Sequence, residues 1–191
     1  MKMKESIGVL ALTCFLFLWG CEKESGPALT GGITLSSELH GTESYYINGY
    51  SFEDGQMYAY SISRQGGPLP DIINEGYPLI EDGQEISLPG FNTPGQVNGF
   101  ALAGAFSTWE GALDFYNNYA EVEEGLIYET VSDIVELYQV WIQKTSANKY
   151  VKMIIRDIQH FESESGNPYN EVRLEYTYAA DGSSEFSCGC N

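Results

Sequence analysis

The chain has 191 residues, with 9 basic against 27 acidic side chains and a formal net charge of −18. So acidic a surface repels polyphosphate backbones and anionic headgroups, which argues against nucleic acid as a partner. With 43% apolar residues, 14 tyrosines and only 2 histidines, the composition can fill a sizeable core but offers little imidazole chemistry.

The opening, MKMKESIGVLALTCFLFLWGC, sets Lys2 and Lys4 ahead of an apolar run from Ile7 to Trp19. That run is shorter than the roughly 17–25 residues a membrane-crossing helix needs, and matches a secretory signal instead. Leu18-Trp19-Gly20-Cys21 resembles the lipobox of bacterial lipoproteins, departing from it at Trp19, where a small residue is usual. The resemblance implies cleavage before Cys21, a diacylglyceryl thioether on its sulfur, and acylation of the freed amine. Several acyl chains anchor firmly because each buried CH₂ contributes about 0.8 kcal/mol. Residues 1–20 are therefore read as a lipoprotein signal, 21–32 as a polar Gly/Pro-containing tether, and 33–191 as a single β-rich domain. The expected location is the outer membrane, facing the periplasm or the cell surface.

In chain order, the first strand signal is MYAYSI, where Tyr58, Tyr60 and Ile62 alternate with polar or small residues. Asp-Gly pairs in EDGQ at 53–56, EDGQ at 81–84 and ADGS at 180–183 mark tight hairpins, whose central residues need positive φ. Between 108 and 121 the period changes: Trp109, Ala112, Leu113, Tyr116 and Tyr119 share one helical face. Ser107 and Glu110 have capping-box spacing and Gly125 marks the stop, so a short amphipathic helix is expected against the sheet.

Strand periodicity then returns. YQVWIQK puts Tyr138, Val140 and Ile142 on one face and Trp141 on the other; in EVRLEYTYA, Val172, Leu174, Tyr176 and Tyr178 alternate with polar residues. Between them, Val151, Met153 and Ile155 form an apolar face, while Lys152, Ile154 and Arg156 form the opposite one. His160 is placed in a polar loop beyond that strand. The fold class is all-β or β-rich α+β, with antiparallel sheets and one short helix. Cys188 and Cys190, separated by Gly189 near the end, leave open a local disulfide, free or intermolecular thiols, or a metal site.

The chain shows no HExxH, nucleophile-elbow, phosphate-loop, dinucleotide or calcium-loop pattern, and two histidines leave a Ser-His-Asp triad short of parts. The expected class is a binding protein, not an enzyme. The stretch from Tyr138 to Phe186, with YQVWIQKTSANKYVKMIIRDIQHF followed by YNEVRLEYTYAADGSSEF, resembles the closing strands of HmuY-like haem-binding lipoproteins. That resemblance implies a β-rich outer-membrane lipoprotein that captures haem between axial His or Met side chains. A TonB-dependent receptor would then be its partner.

Candidate axial ligands are His160, Met153, Met57 and His40, with Lys149, Lys152 and Arg156 as partners for an anionic ligand's carboxylates. On a straight strand, Met153 and His160 would stand roughly 23 Å apart and on opposite faces, which separates them as a pair. The alternative readings are a glycan- or peptide-binding surface lipoprotein that stacks ligands on Trp141 and the tyrosines, or a structural envelope protein without a small-molecule ligand.

Overall fold

The computed structural model describes residues 30–61, 63, 66–94 and 99–186. Cys21, the signal segment, Ile62 and the Cys188–Cys190 pair therefore lie outside the described residues. The chain enters at β1 (Thr30–Ser36) and then forms two hairpins, β2 (Ile47–Ser51) with β3 (Gln56–Tyr60) and β4 (Ile73–Glu81) with β5 (Gln84–Asn92). After β6 (Phe100–Ala105) come α1 (Trp109–Asn118) and an irregular segment, then β7 (Gln139–Lys144), β8 (Tyr150–Glu162) and β9 (Pro168–Ala179). β1, β9, β8, β7 and β6 pair in that order as one antiparallel sheet. The fold is β-rich, as expected, with a single short helix among the described residues.

β1 begins earlier than the tether was expected to end: Thr30, Gly31 and Gly32 already pair with Thr177, Tyr176 and Glu175 of β9. Gly31 makes this pairing compatible with the neighbouring side chain, since a Cβ there would meet the Tyr176 hydroxyl at 2.7 Å.

The alternation read from β7, β8 and β9 becomes two packed faces. Trp141, Met153, Leu174 and Tyr176 bury against Phe52, Ile72 and Phe91 from the hairpins and their flanking turn, forming the larger core. On the reverse face, Val140 and Ile154 meet Ala112 and Tyr116 of α1. Full burial of side chains of this size stabilises by about 1.5–3 kcal/mol each before the entropy of ordering them is counted.

α1 starts one residue later than the capping-box spacing suggested. Thr108, in extended conformation, is the N-cap and its hydroxyl accepts from Gly111 N–H at 3.2 Å. The helix ends at Asn118, with Tyr119 as its C-cap, well before Gly125, and its last turn has no basic residue. Lys152 supplies that charge from β8: its Nζ donates to the Tyr116 and Tyr119 carbonyls at 2.6 and 2.8 Å. Helix C-terminal carbonyls lack intrahelical partners and carry partial negative charge, so a cation there both satisfies and neutralises them.

The two EDGQ stretches fold differently. Asp82 and Gly83 both have positive φ, at 50° and 81°, and form the two-residue β4–β5 turn. In the other copy, Ser51 pairs with Gln56 and Gly55 N–H donates to Ser51 O at 2.9 Å, giving a wider four-residue turn. The Asp181-Gly182 turn ends β9 without opening a hairpin between named strands; Glu185 beyond it bridges to Glu121.

Candidate functional site

The candidate residues do not converge. Met153 is 0% exposed inside the larger core. Trp141 is buried in the same core, its indole N–H donating to Gln139 Oε1 at 2.9 Å, so it offers no stacking surface. Lys149 bridges to Glu53 at 2.7 Å, Lys152 caps α1, and Arg156 pairs with Glu175 beside the Trp109 ring. The three cations serve three separate contacts.

His160 lies on β8 rather than in a loop, because the strand continues to Glu162. A bulge between Ile155 and Asp157 inserts one extra residue and inverts the parity downstream, so that Ile155 opposes Leu174 but Ile158 opposes Val172. His160 consequently shares the face of Met153, contrary to the parity expected for a straight strand. Six residues still lie between them, and their β9 partners Tyr176 and Asn170 are six positions apart, roughly 20 Å along the strand. The His160 ring meets the Ser87 carbonyl at 3.0 Å; a carbonyl only accepts, so Nδ1 carries the proton. Met57 is exposed on β3, and His40 packs its ring 5.3 Å from that of Tyr46.

A different constellation forms a cleft of about 830 Å³ where the two hairpins meet the segment before β2 and the β8–β9 turn. This volume falls within the range typical of small-molecule sites, about 300–1,000 Å³. Its walls carry five tyrosines: Tyr45, Tyr46, Tyr60, Tyr77 and Tyr169. Tyr45 and Tyr46 are exposed, while the other three are half-buried. Ser61, Ser63, Ser163 and Asn167 add small polar groups, and Glu38, Glu43 and Glu75 supply carboxylates.

The floor is held by a buried amide network. Asn74, from β4, donates to Asn170 Oδ1 at 2.7 Å and to the Leu35 carbonyl at 3.1 Å. Asn170, from β9, in turn donates to Ser87 Oγ at 2.9 Å, while its backbone N–H donates to Ser37 Oγ at 2.8 Å. Both asparagines are fully buried, and Ser37 and Ser87 line the cleft, so its base is tied to two strands of different sheets. A buried network with its members paired fixes geometry because breaking any link leaves a costly orphan. Gly90 shapes the wall: a Cβ there would meet the Tyr77 ring at 2.1 Å, so glycine permits that ring to lie across β5.

The electrostatics follow from this packing. Burial first, then Glu75 and Asp133, push the Tyr77 phenol above its ordinary range. Burial and the charges of Glu38 and Glu171 do the same to Tyr169. Both phenols therefore stay protonated at neutral pH and do not act as bases, and among the described residues the buried Tyr77 hydroxyl has no hydrogen-bond partner. Among the described residues, the cleft lining contains no lysine, arginine or histidine.

A second groove of about 830 Å³ runs on the helix side between α1 and the β1–β9 edge, with Lys152, Arg173 and Glu175 among its lining. Among the described residues no group of three or more His, Cys, Asp or Glu side chains is arranged to hold a metal ion. Compared with known proteins, the chain matches no family model and no curated protein.

Sequence reasoning missed the tyrosine cleft as a place, because its tyrosines come from four separated stretches. The adjacent Tyr45 and Tyr46 gave one usable signal: two large rings in a Gly/Ser/Thr/Glu segment, GTESYYING, without an apolar period to bury them.

Proposed function

We propose that this protein is a lipid-anchored, non-catalytic binding protein of the bacterial outer membrane that holds a saccharide chain in the tyrosine cleft. The observation that carries the reading is the set of five tyrosines around a preorganised polar floor. Sugar rings present apolar C–H faces that pack on aromatic rings, and hydroxyl edges that hydrogen-bond to Ser, Asn and carboxylate groups; this cleft offers both. The lipobox at Cys21 supports the anchor, and a TonB-dependent receptor that carries the saccharide onward is the partner this reading expects.

Haem capture draws no comparable support. It asks for paired axial ligands, whereas Met153 has no exposed surface and His160 stands about 20 Å along the strand from it.

Binding of the mature chain to a panel of oligosaccharides, followed by calorimetry on those retained, tests the proposal. Tyr45→Ala and Tyr169→Ala should each weaken binding about 5- to 15-fold, corresponding to about 1–1.5 kcal/mol per stacked ring. Retention of wild-type affinity by both variants would move the site away from the cleft.

A further inference from the structure

Resting on the saccharide reading, we infer that the cleft selects sugar chains carrying free amino groups over N-acetylated or uronic acid chains. Three carboxylates line the cleft, and among the described residues of its lining there is no basic side chain. Among the described residues, ion pairs join Lys149 to Glu53 and Arg156 to Glu175, and neither pair lies in the cleft lining. Two imidazoles contact lining residues without joining the lining: His40 packs on Tyr46, and His160 donates to the Ser87 carbonyl.

The carboxylates line the same cleft as the rings. Glu38 contributes to the altered titration of Tyr169, and Glu75 to that of Tyr77. An ammonium group lying over a tyrosine face is attracted by the ring's negative quadrupole, and an adjacent carboxylate adds direct charge attraction. A uronate in the same position meets like charge, in a protein whose net charge is already −18. An N-acetyl sugar retains the stacking contact and loses the charge term. The expected order is therefore amine-bearing, then neutral, then anionic.

The test uses the mature lipoprotein in a non-glycosidic detergent, with glucosamine oligomers, N-acetylglucosamine oligomers, galacturonate oligomers and oligolysine of matched length. At low salt, glucosamine oligomers should bind at least about tenfold more tightly than the N-acetylated series, and galacturonate should bind weakest. The gap should close as salt rises to about 1 M, where the screening length falls to about 3 Å. Glu38→Gln with Glu43→Gln should remove most of the preference for amine-bearing over neutral oligomers. The exposed pair Glu123→Gln with Glu124→Gln, which lies outside the cleft lining, should change nothing.

Equal affinity for amine-bearing and neutral oligomers would overturn the inference while leaving the saccharide reading intact. Oligolysine binding as tightly as glucosamine oligomers, or loss of preference in the Glu123/Glu124 variant, would reduce the effect to non-specific charge attraction and also overturn it. Failure of every saccharide series to bind would remove the reading beneath it.

Discussion

Met153 and Lys152 are neighbours on β8, both almost fully buried, yet they carry opposite chemistry to the two faces of one sheet. Met153 enters a core made largely of aromatic and aliphatic side chains from the hairpins, where shape and volume are the requirements. Lys152 passes between Tyr116 and Phe186, with its Nζ 4.5 and 5.1 Å from their ring centroids, and reaches the carbonyls at the end of α1. The hairpin side is held by packing, and the helix side depends on a directed charge. A strand pattern alone reports that both positions are occupied, but not which kind of interaction occupies them.

Substitutions at these two positions can break the comparison. Met153→Ala should cost about 2–5 kcal/mol in denaturant unfolding, because it empties a site with little room to relax; Met153→Leu, which keeps the volume, should cost less than about 1.5 kcal/mol. Lys152→Met also roughly conserves volume, yet should cost about 2–3 kcal/mol, since it removes two charge-assisted hydrogen bonds and leaves buried carbonyls without that donor. If Lys152→Met were as mild as Met153→Leu, the helix side would be a hydrophobic contact like the other. Thr108→Ala sharpens the same point at the opposite end of α1, with an expected loss of about 1 kcal/mol from the missing N-cap and the first signs of change in far-ultraviolet helix signal.

The elements that were legible share a physical reason: each is specified by local period or by a backbone demand. Val172 to Tyr178 alternate because one face of β9 is buried, and Asp82-Gly83 turns because both residues must take positive φ. The unread features arise elsewhere. The Arg156 bulge, which moves His160 to the face of Met153, depends on how β8 registers against β9, and nothing in KYVKMIIRDIQHF announces it. Lys152 looked like one of three converging cations because sequence spacing shows their proximity along the strand but not the partners waiting across it. The cleft escaped for the same reason, since Tyr46 and Tyr169 come to line one cleft only in the folded chain.

The smallest expected effect separates two carboxylates on the hairpin side by the sign of their pH dependence. Asp71 is buried; loss of solvation pushes its carboxyl up, although Phe52 N–H donates to it at 2.9 Å and the Ser146 hydroxyl at 3.4 Å. Its folded value lies above its unfolded one, so the folded state binds the proton more tightly and this group's contribution falls as pH rises through that interval. Glu53 behaves oppositely: hydrogen bonds from Lys149 and then Tyr178 hold it below its ordinary value. Its contribution is present above the unfolded carboxylate value and is lost as pH falls through the folded one. Because the Glu53 side chain is 48% exposed, solvent screening limits its pair to about 1 kcal/mol or less. Unfolding of wild type, Asp71→Asn and Glu53→Gln from about pH 3 to 7 should therefore show the wild-type advantage over Glu53→Gln growing with pH. The stability of Asp71→Asn relative to wild type should also rise over that range, as the buried carboxylate it replaces becomes charged. A wild-type advantage that changed with pH in the same direction for both variants would mean that the hairpin face does not hold one carboxylate by desolvation and the other by pairing.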